Sequence, residues 1–225
     1  MLKLIIGNKA YSSWSQRGWL AAKQSGLAFE EIVVPLYDDA WTARRLEADI
    51  RPSGGKVPIL WDGETPIWDS LAIILYLDAL SGGTKFWPAD PAARALALSM
   101  AAEMHSGFMP LRRNHPFNLR RVYPAAPLDP EVEADVARLA HIWQQARDQH
   151  GAGGDFLFGS FGAVDIMFAP VVTRLVTYSI AMPATLRPYM AAVLAHPFMQ
   201  EWDKAAQVES WIIPRFERDE AGPSL

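Results

Sequence analysis

Hydrophobic positions change period several times along the first eighty residues. The run Leu2-Lys3-Leu4-Ile5-Ile6 is apolar but too short for a helix, and it predicts a first strand. Trp14, Leu20 and Ala21 then recur at helical spacing over 14–24, and Gly26 stops that helix. Phe29 to Val34 predicts a second strand. Asp39 to about Ile50 reads as an amphipathic helix, with Trp41 and Leu46 inward and Arg44, Arg45 and Glu47 outward. After the loop Arg51-Pro52-Ser53-Gly54-Gly55, Val57-Pro58 opens the apolar run Ile59-Leu60-Trp61. Asp62-Gly63 turns the chain and Pro66-Ile67-Trp68 returns it, a hairpin pattern. Asp69-Ser70 begins the helix LAIILYL, and either residue can cap its orphan amides.

The element order β-α-β-α-β-β-α predicts a thioredoxin-like α/β domain over 1–80. Gly and Pro crowd Ser81 to Pro91, which marks 81–89 as a linker. Beyond it the pattern is helical throughout: Asp90 to about Leu111, Pro130 to about His150, Ala163 to Tyr178, Ala184 to Leu194 and Pro197 to Gln207. Phe156-Leu157-Phe158 is the one candidate strand there, and Arg120 to Pro130 reads as a connection. The fold class is therefore α/β plus all-α, with an all-helical domain over 90–225.

Composition narrows the function. Half of the 225 residues are hydrophobic, enough for a sizeable core. Twenty-one basic against 25 acidic residues give a net charge of −4. That balance supplies no footprint for nucleic acid and no basic run for an anionic membrane. No stretch reaches the length of a membrane helix, and the N-terminal apolar run is too short for a secretory signal. Cysteine is absent, so there is no disulfide, thiolate metal site or protein-borne redox thiol; a cytoplasmic location fits. The five histidines show no ligand spacing, and no metal is expected. Ser53-Gly54-Gly55-Lys56 lacks the early glycine and the Ser/Thr of a phosphate loop.

Two places carry candidate chemistry. A proline entering a strand cannot donate to the ladder. If Val57-Pro58 is cis, the amide and carbonyl of Val57 face outward, free to pair with an extended peptide. Asp69-Ser70 sets a carboxylate and a hydroxyl at a helix N-terminus, a mix that holds an ammonium and a carboxylate together. The γ-glutamyl end of glutathione carries both groups beside a peptide backbone. Ser12, Ser13 and Ser15 precede or open the first helix, where serine commonly caps; a hydroxyl there can also donate to a thiolate. Gly162-Ala163-Val164-Asp165 reads as a capping box with glycine at the cap, and Asp165 as a folding residue.

The residues V-P followed by D-S-L-A-I-I-L-Y-L resemble the glutathione site of glutathione S-transferases. Tyr11-Ser12-Ser13-Trp14-Ser15-Gln16-Arg17 resembles the serine motif of the zeta-like bacterial transferases, with Trp14 where that motif has cysteine. The resemblance implies glutathione as co-substrate, Ser12 as the thiolate donor with Ser13 and Ser15 as alternates, and Lys56, Val57, Pro58, Asp69 and Ser70 as further glutathione contacts. It implies a homodimer and an acceptor pocket in the helical domain, for which Trp14, Arg17, His105, Phe108 and Arg112 are candidates. The expected reaction is addition of glutathione thiolate to a hydrophobic electrophile. Two alternatives remain: cis–trans isomerisation of the maleylacetoacetate type, and glutathione binding without turnover.

Overall fold

The computed structural model describes residues 1–218; the last residues assigned above to the helical domain, 219–225, lie outside the described residues. Strands β1 (Leu2–Gly7), β2 (Phe29–Val34), β3 (Ile59–Asp62) and β4 (Thr65–Ile67) form one sheet in the order β2-β1-β3-β4. β1 runs parallel to β2, with Ile5 opposite Ile32, and antiparallel to β3, with Ile5 opposite Ile59. β4 completes the hairpin, with Leu60 opposite Ile67.

Alternation along β1 divides the core. Leu4 and Ile6 enter the large hydrophobic cluster, while Ile5 joins a small one with Val34, Trp41, Ile50 and Ile59 on the other face. Helices α1 (Ser13–Ser25) and α3 (Ser70–Leu80) pack against each other, and Leu20, Ala21, Ile73, Ile74 and Leu77 join the large cluster. Between β2 and β3 the expected helix over 39–50 shrinks to α2 (Trp41–Arg44), followed by turns and a 3-10 turn at Arg51–Ser53. Trp41 is buried as expected, but Leu46 is 64% exposed. Without Leu46 the segment has no continuous apolar stripe to bury, and so short a helix gains little from propagation.

The C-terminal domain is helical. It comprises α4 (Pro91–Ser106), α5 (Met109–Asn114), α6 (Pro130–His150), α7 (Ala163–Thr177), α8 (Arg187–Ala195) and α9 (Pro197–Gln207). The single helix expected from Asp90 to Leu111 is broken. Pro110 has no amide for the Ser106 carbonyl, and Phe108 adopts φ +55°. A side chain at Gly107 would come within 2.8 Å of the Glu103 carbonyl. The candidate strand at 156–158 is reduced to one bridge between Phe156 and Gly159. α7 is buried along nearly its whole length and packs on α1, so one core runs from the sheet into the helical domain. At its start Asp165 accepts the Gly162 amide at 2.9 Å and the Leu157 amide at 3.2 Å. Among the described residues no helix is long and apolar enough to cross a membrane, and no cluster of His, Asp and Glu could hold a metal ion.

Candidate functional site

A cavity of about 620 Å³ opens where the C-terminal ends of β1 and β2 meet the loop before β3 and the start of α3. Its floor begins with the loop after β1. The Asn8 carbonyl accepts the Tyr11 and Ser12 amides at 3.3 and 2.9 Å, and Asn8 Oδ1 accepts the Leu36 amide at 2.8 Å. This folds 8–12 under Leu36, which lines the cavity with Tyr37 and Trp41.

Of the three serines, Ser12 alone lines the cavity. It is the N-cap of α1, in extended backbone geometry, and its Oγ accepts the Ser15 amide at 3.3 Å. Its hydroxyl donates to Ser15 Oγ at 2.8 Å. Ser15 is fully buried, and its Oγ also accepts the Gly7 amide at 2.8 Å, which ties the helix start to β1. Ser13 is buried too and accepts from Arg174 at 3.2 Å, on the side facing α7. A hydroxyl rotor is free to reverse: if Ser15 donates to Ser12 Oγ, the Ser12 O–H is released to the cavity. The first turn of α1 carries no acidic side chain, so its positive end is not neutralised there.

The second wall comes from the loop before β3. The Val57–Pro58 peptide is cis, as is Trp68–Asp69. The amide and carbonyl of Val57 have no partner among the described residues and stand at the cavity. Pro58 packs directly on α1: a Cβ added at Gly18 would lie 2.8 Å from two atoms of its ring. Behind this loop Ser53 Oγ accepts the Lys56 amide at 2.9 Å and donates to the Ile50 carbonyl at 2.7 Å. Gly55, at φ +74°, turns the chain against Arg45. Lys56 and Arg45 are exposed and both line the cavity, giving it two cationic groups.

Asp69 lines the opening and caps α3, its Oδ1 accepting the Leu71 amide at 3.2 Å. Its other oxygen lies 3.1 Å from His105 Nε2, so α4 meets the N-terminal domain at the cavity. Ser70 sits one residue deeper than expected for a cavity contact. It is fully buried, outside the cavity wall, and its hydroxyl has no partner.

The candidates for the acceptor side divide. Trp14 and His105 line the cavity, with ring centroids 5.4 Å apart. Arg112 lies beside them, its guanidinium carbon 4.6 Å from the Trp14 centroid. Phe108 does not reach the cavity; it turns into the core against Phe168. Arg17 is wholly buried, 4.6 Å from the same Trp14 ring, with Nε donating to the Met167 carbonyl at 2.9 Å. Burial, then the charges of Arg174 and Arg112, pushes its guanidinium well below the ordinary arginine value. Burial pushes Arg174 down to about 9, with Arg112 adding to it.

Leu36, Tyr37, Trp41, Arg45, Ser53, Gly55 and Trp68 also line the cavity and were not among the candidates. Nothing in the local pattern of Tyr37 or Arg45 points to a pocket, because they meet it only through the sheet. Gly18 carried a readable signal: glycine inside a helix is costly and needs a close neighbour to explain it.

Structural comparison sets this fold among known ones. A glutathione transferase homolog from Burkholderia, with bound glutathione, superposes with a TM-score of 0.68. Its identity is 24%, over 92% of this chain and 99% of that one. The Tau class glutathione S-transferase of mango (Mangifera indica) gives 0.65 at 21% identity, over 92% and 96%. The theta class enzyme of Xanthomonas axonopodis pv. citri, also with glutathione bound, gives 0.63 at 22%, over 89% and 95%. This is the glutathione transferase fold. Residues 11–80 match the family described as glutathione S-transferase, N-terminal domain. Among curated proteins, glutathione S-transferase U28 of Arabidopsis thaliana is 30% identical over 96 residues, 42% of this chain. The match spans about two fifths of that relative, 41% of its length.

Proposed function

We propose that this chain is a glutathione transferase that adds the glutathione thiolate to a hydrophobic electrophile. One observation carries the reading. The cap of α1, the unpartnered backbone of Val57, the cations Lys56 and Arg45 and the carboxylate of Asp69 converge on a single cavity. That set complements a tripeptide with one ammonium and two carboxylates. Val57 pairs with the cysteinyl backbone, Asp69 takes the γ-glutamyl ammonium, and Lys56 takes the glycyl carboxylate. Ser70, at the positive end of α3, acts on the γ-glutamyl carboxylate through the helix start it belongs to.

Ser12 donates its hydroxyl to the sulfur. A free thiol with a pKa of about 8.5 is only a few per cent ionised at neutral pH. A hydroxyl donor and a helix N-terminus both favour the thiolate. Catalysis is then thiolate stabilisation plus the holding of sulfur and acceptor together. Residues 1–80 form the glutathione domain, 81–89 the linker, and the chain from residue 90 supplies the acceptor side. The resemblance of Tyr11-Ser12-Ser13-Trp14-Ser15-Gln16-Arg17 to the zeta-like serine motif, with Trp14 in place of its cysteine, is what supports a zeta-like serine type. We read the working form as a cytoplasmic homodimer; exposed Trp68, Leu75 and Leu80 leave apolar surface for a second copy.

Titration calorimetry with glutathione and S-hexylglutathione, together with initial rates on 1-chloro-2,4-dinitrobenzene, tests the reading. Binding of both ligands with conjugation is expected. Absence of heat from either ligand overturns it. Binding without conjugation of any electrophile selects a carrier, and faster turnover of maleylacetone than of any electrophile selects the isomerase.

A further inference from the structure

His105 stands in the last turn of α4, in the helical domain, yet its imidazole meets the N-terminal domain at the cavity, which it and Asp69 both line. Its Nε2 lies 3.1 Å from Asp69 Oδ2. The side chain has no other polar partner among the described residues, and Nδ1 is buried with none. A carboxylate oxygen only accepts, so the hydrogen of the neutral ring belongs on Nε2. The Trp14 ring packs edge-on against the imidazole, with centroids 5.4 Å apart.

Asp69 Oδ1 already accepts the Leu71 amide at 3.2 Å. Its two oxygens are therefore held by two groups, one from its own helix and one from the other domain. The pair contributes little to stability. Its side chains are 28% and 54% exposed, and an exposed ion pair is weak. Both helices reach the large core through buried apolar residues such as Leu77 and Ala101, so the domains do not depend on the pair to dock. What the contact does is fix the direction of an exposed carboxylate.

We propose that His105 is a positioning residue for glutathione: its neutral imidazole holds the Asp69 carboxylate where the γ-glutamyl ammonium binds. The inference rests on the transferase reading above and deepens it, because part of co-substrate recognition then sits on the helical domain. A carboxylate oxygen has room for two donors, so Nε2–H and an ammonium N–H share Oδ2. Imidazolium does the reverse. It sets a positive charge 3.1 Å from the same oxygen, offsets the attraction for the ammonium and repels it.

Histidine is the side chain type whose charge ordinarily changes between pH 5 and 8. Other charges about His105 come from each neighbouring element. Asp69 opens α3, and Arg112 of α5 donates to the His105 carbonyl at 3.4 Å. Arg17 of α1 stacks on Trp14, and Arg174 of α7 acts on Arg17 in turn. On α4 itself Glu103 is paired with Arg138 of α6 at 2.7 Å. Asp69 has no ion-pair partner but His105 among the described residues.

Titration calorimetry with S-hexylglutathione, which has no free thiol, tests this between pH 7.5 and pH 5.5. In the native protein the Kd should rise about twofold to fivefold as pH falls, the scale of one exposed charged contact. His105→Ala should raise the Kd at pH 7.5 and abolish the slope. His105→Gln keeps an N–H donor but takes up no proton, so it should recover part of that loss, again without a slope. In Asp69→Asn the further change His105→Ala should have no effect, because the carboxylate through which it acts is gone. S-hexylated glutaryl-cysteinyl-glycine, which lacks the ammonium, should bind the native protein with no such rise. In turnover the loss should fall on KM for glutathione rather than on kcat, and thermal melts at both pH values identify any misfolded variant. A flat native profile, an equal slope in His105→Gln, or an unchanged Kd in His105→Ala at pH 7.5 overturns the inference and leaves the transferase reading standing. No heat from S-hexylglutathione at any pH overturns both.

Discussion

The two walls of the cavity are built on different principles. On the wall proposed for glutathione the groups that face the cavity are mostly backbone or helix cap. They are fixed by neighbours at short range: Asn8 under the 8–12 loop, Ser15 under Ser12, Ser53 under Lys56, Gly18 under Pro58. On the side proposed for the acceptor, the cavity is faced by long side chains, Trp14 and His105, in ring contact with each other, with Arg112 stacked on Trp14. The first kind of wall reads one shape with little reorganisation. The second can change specificity by changing a side chain, without disturbing the fold. Affinity for a constant co-substrate belongs on the first, and choice of acceptor on the second.

The largest test of that division is Ser12→Ala. A hydrogen bond to a charged group contributes about 1.5–3 kcal/mol, so the catalysed rate should fall roughly tenfold to a hundredfold. Glutathione affinity should change far less, and the ultraviolet band of the bound thiolate should appear at higher pH. Unchanged conjugation would move the donor role off Ser12. The lost cap costs about 1 kcal/mol, which a thermal melt registers as a drop of about 2–4 °C.

Next comes Gly18→Val. Its new side chain would meet the Pro58 ring at 2.8 Å. Neither a proline ring nor a helix backbone yields easily, so we expect a loss of about 1–3 kcal/mol in stability and a several-fold rise in the glutathione Kd. If the Kd measured by calorimetry stays at its original value, the glutathione wall is more plastic than described.

The smallest effect on the cavity should come from Asp165. Burial raises its carboxyl from 3.8 to about 7. Between those values the unfolded chain has released the proton and the folded chain keeps it. Stability therefore declines as pH rises from about 4 to about 7 and is flat with respect to this group above that, by at most about 4 kcal/mol. Asp165→Asn should remove that slope from the difference in melting temperature between the two proteins, while glutathione affinity stays constant. A slope that persists in the variant belongs to other groups.

The same division explains what could be read from the sequence. Strands, the α1 and α3 helices, the hairpin and the N-caps are local, and turn chemistry and period announce them. The placement of Ser12, Val57 and Asp69 about one cavity follows once those elements pair in a thioredoxin-like sheet. Residues 39–50 misled because Trp41 and Ile50 mimic the ends of an apolar stripe, while Leu46 between them finds nothing to cover it. Pro110 was a visible stop inside a pattern that otherwise reads as helix. Phe108, Ser15 and Arg17 show the harder case. Local pattern allows either the cavity or the core, and tertiary packing decides: Ser15 turns to β1, Arg17 to α7, and Phe108, at the break between α4 and α5, packs on Phe168. The two arginines that face the Trp14 ring, Arg17 and Arg112, come from separate helices, so no window of sequence contains the cluster.

The segment after α9 has a practical consequence. Glu209 accepts the Lys9 and Ala10 amides at 2.6 and 3.0 Å, Glu217 accepts the Tyr11 hydroxyl, and Arg215 stacks on Tyr37. Residues far apart in the chain thus brace the loop that carries Ser12 and one rim of the cavity. Protease trimming or a fusion partner near residue 209 would reach Ser12 mechanically, although Glu209 does not line the cavity.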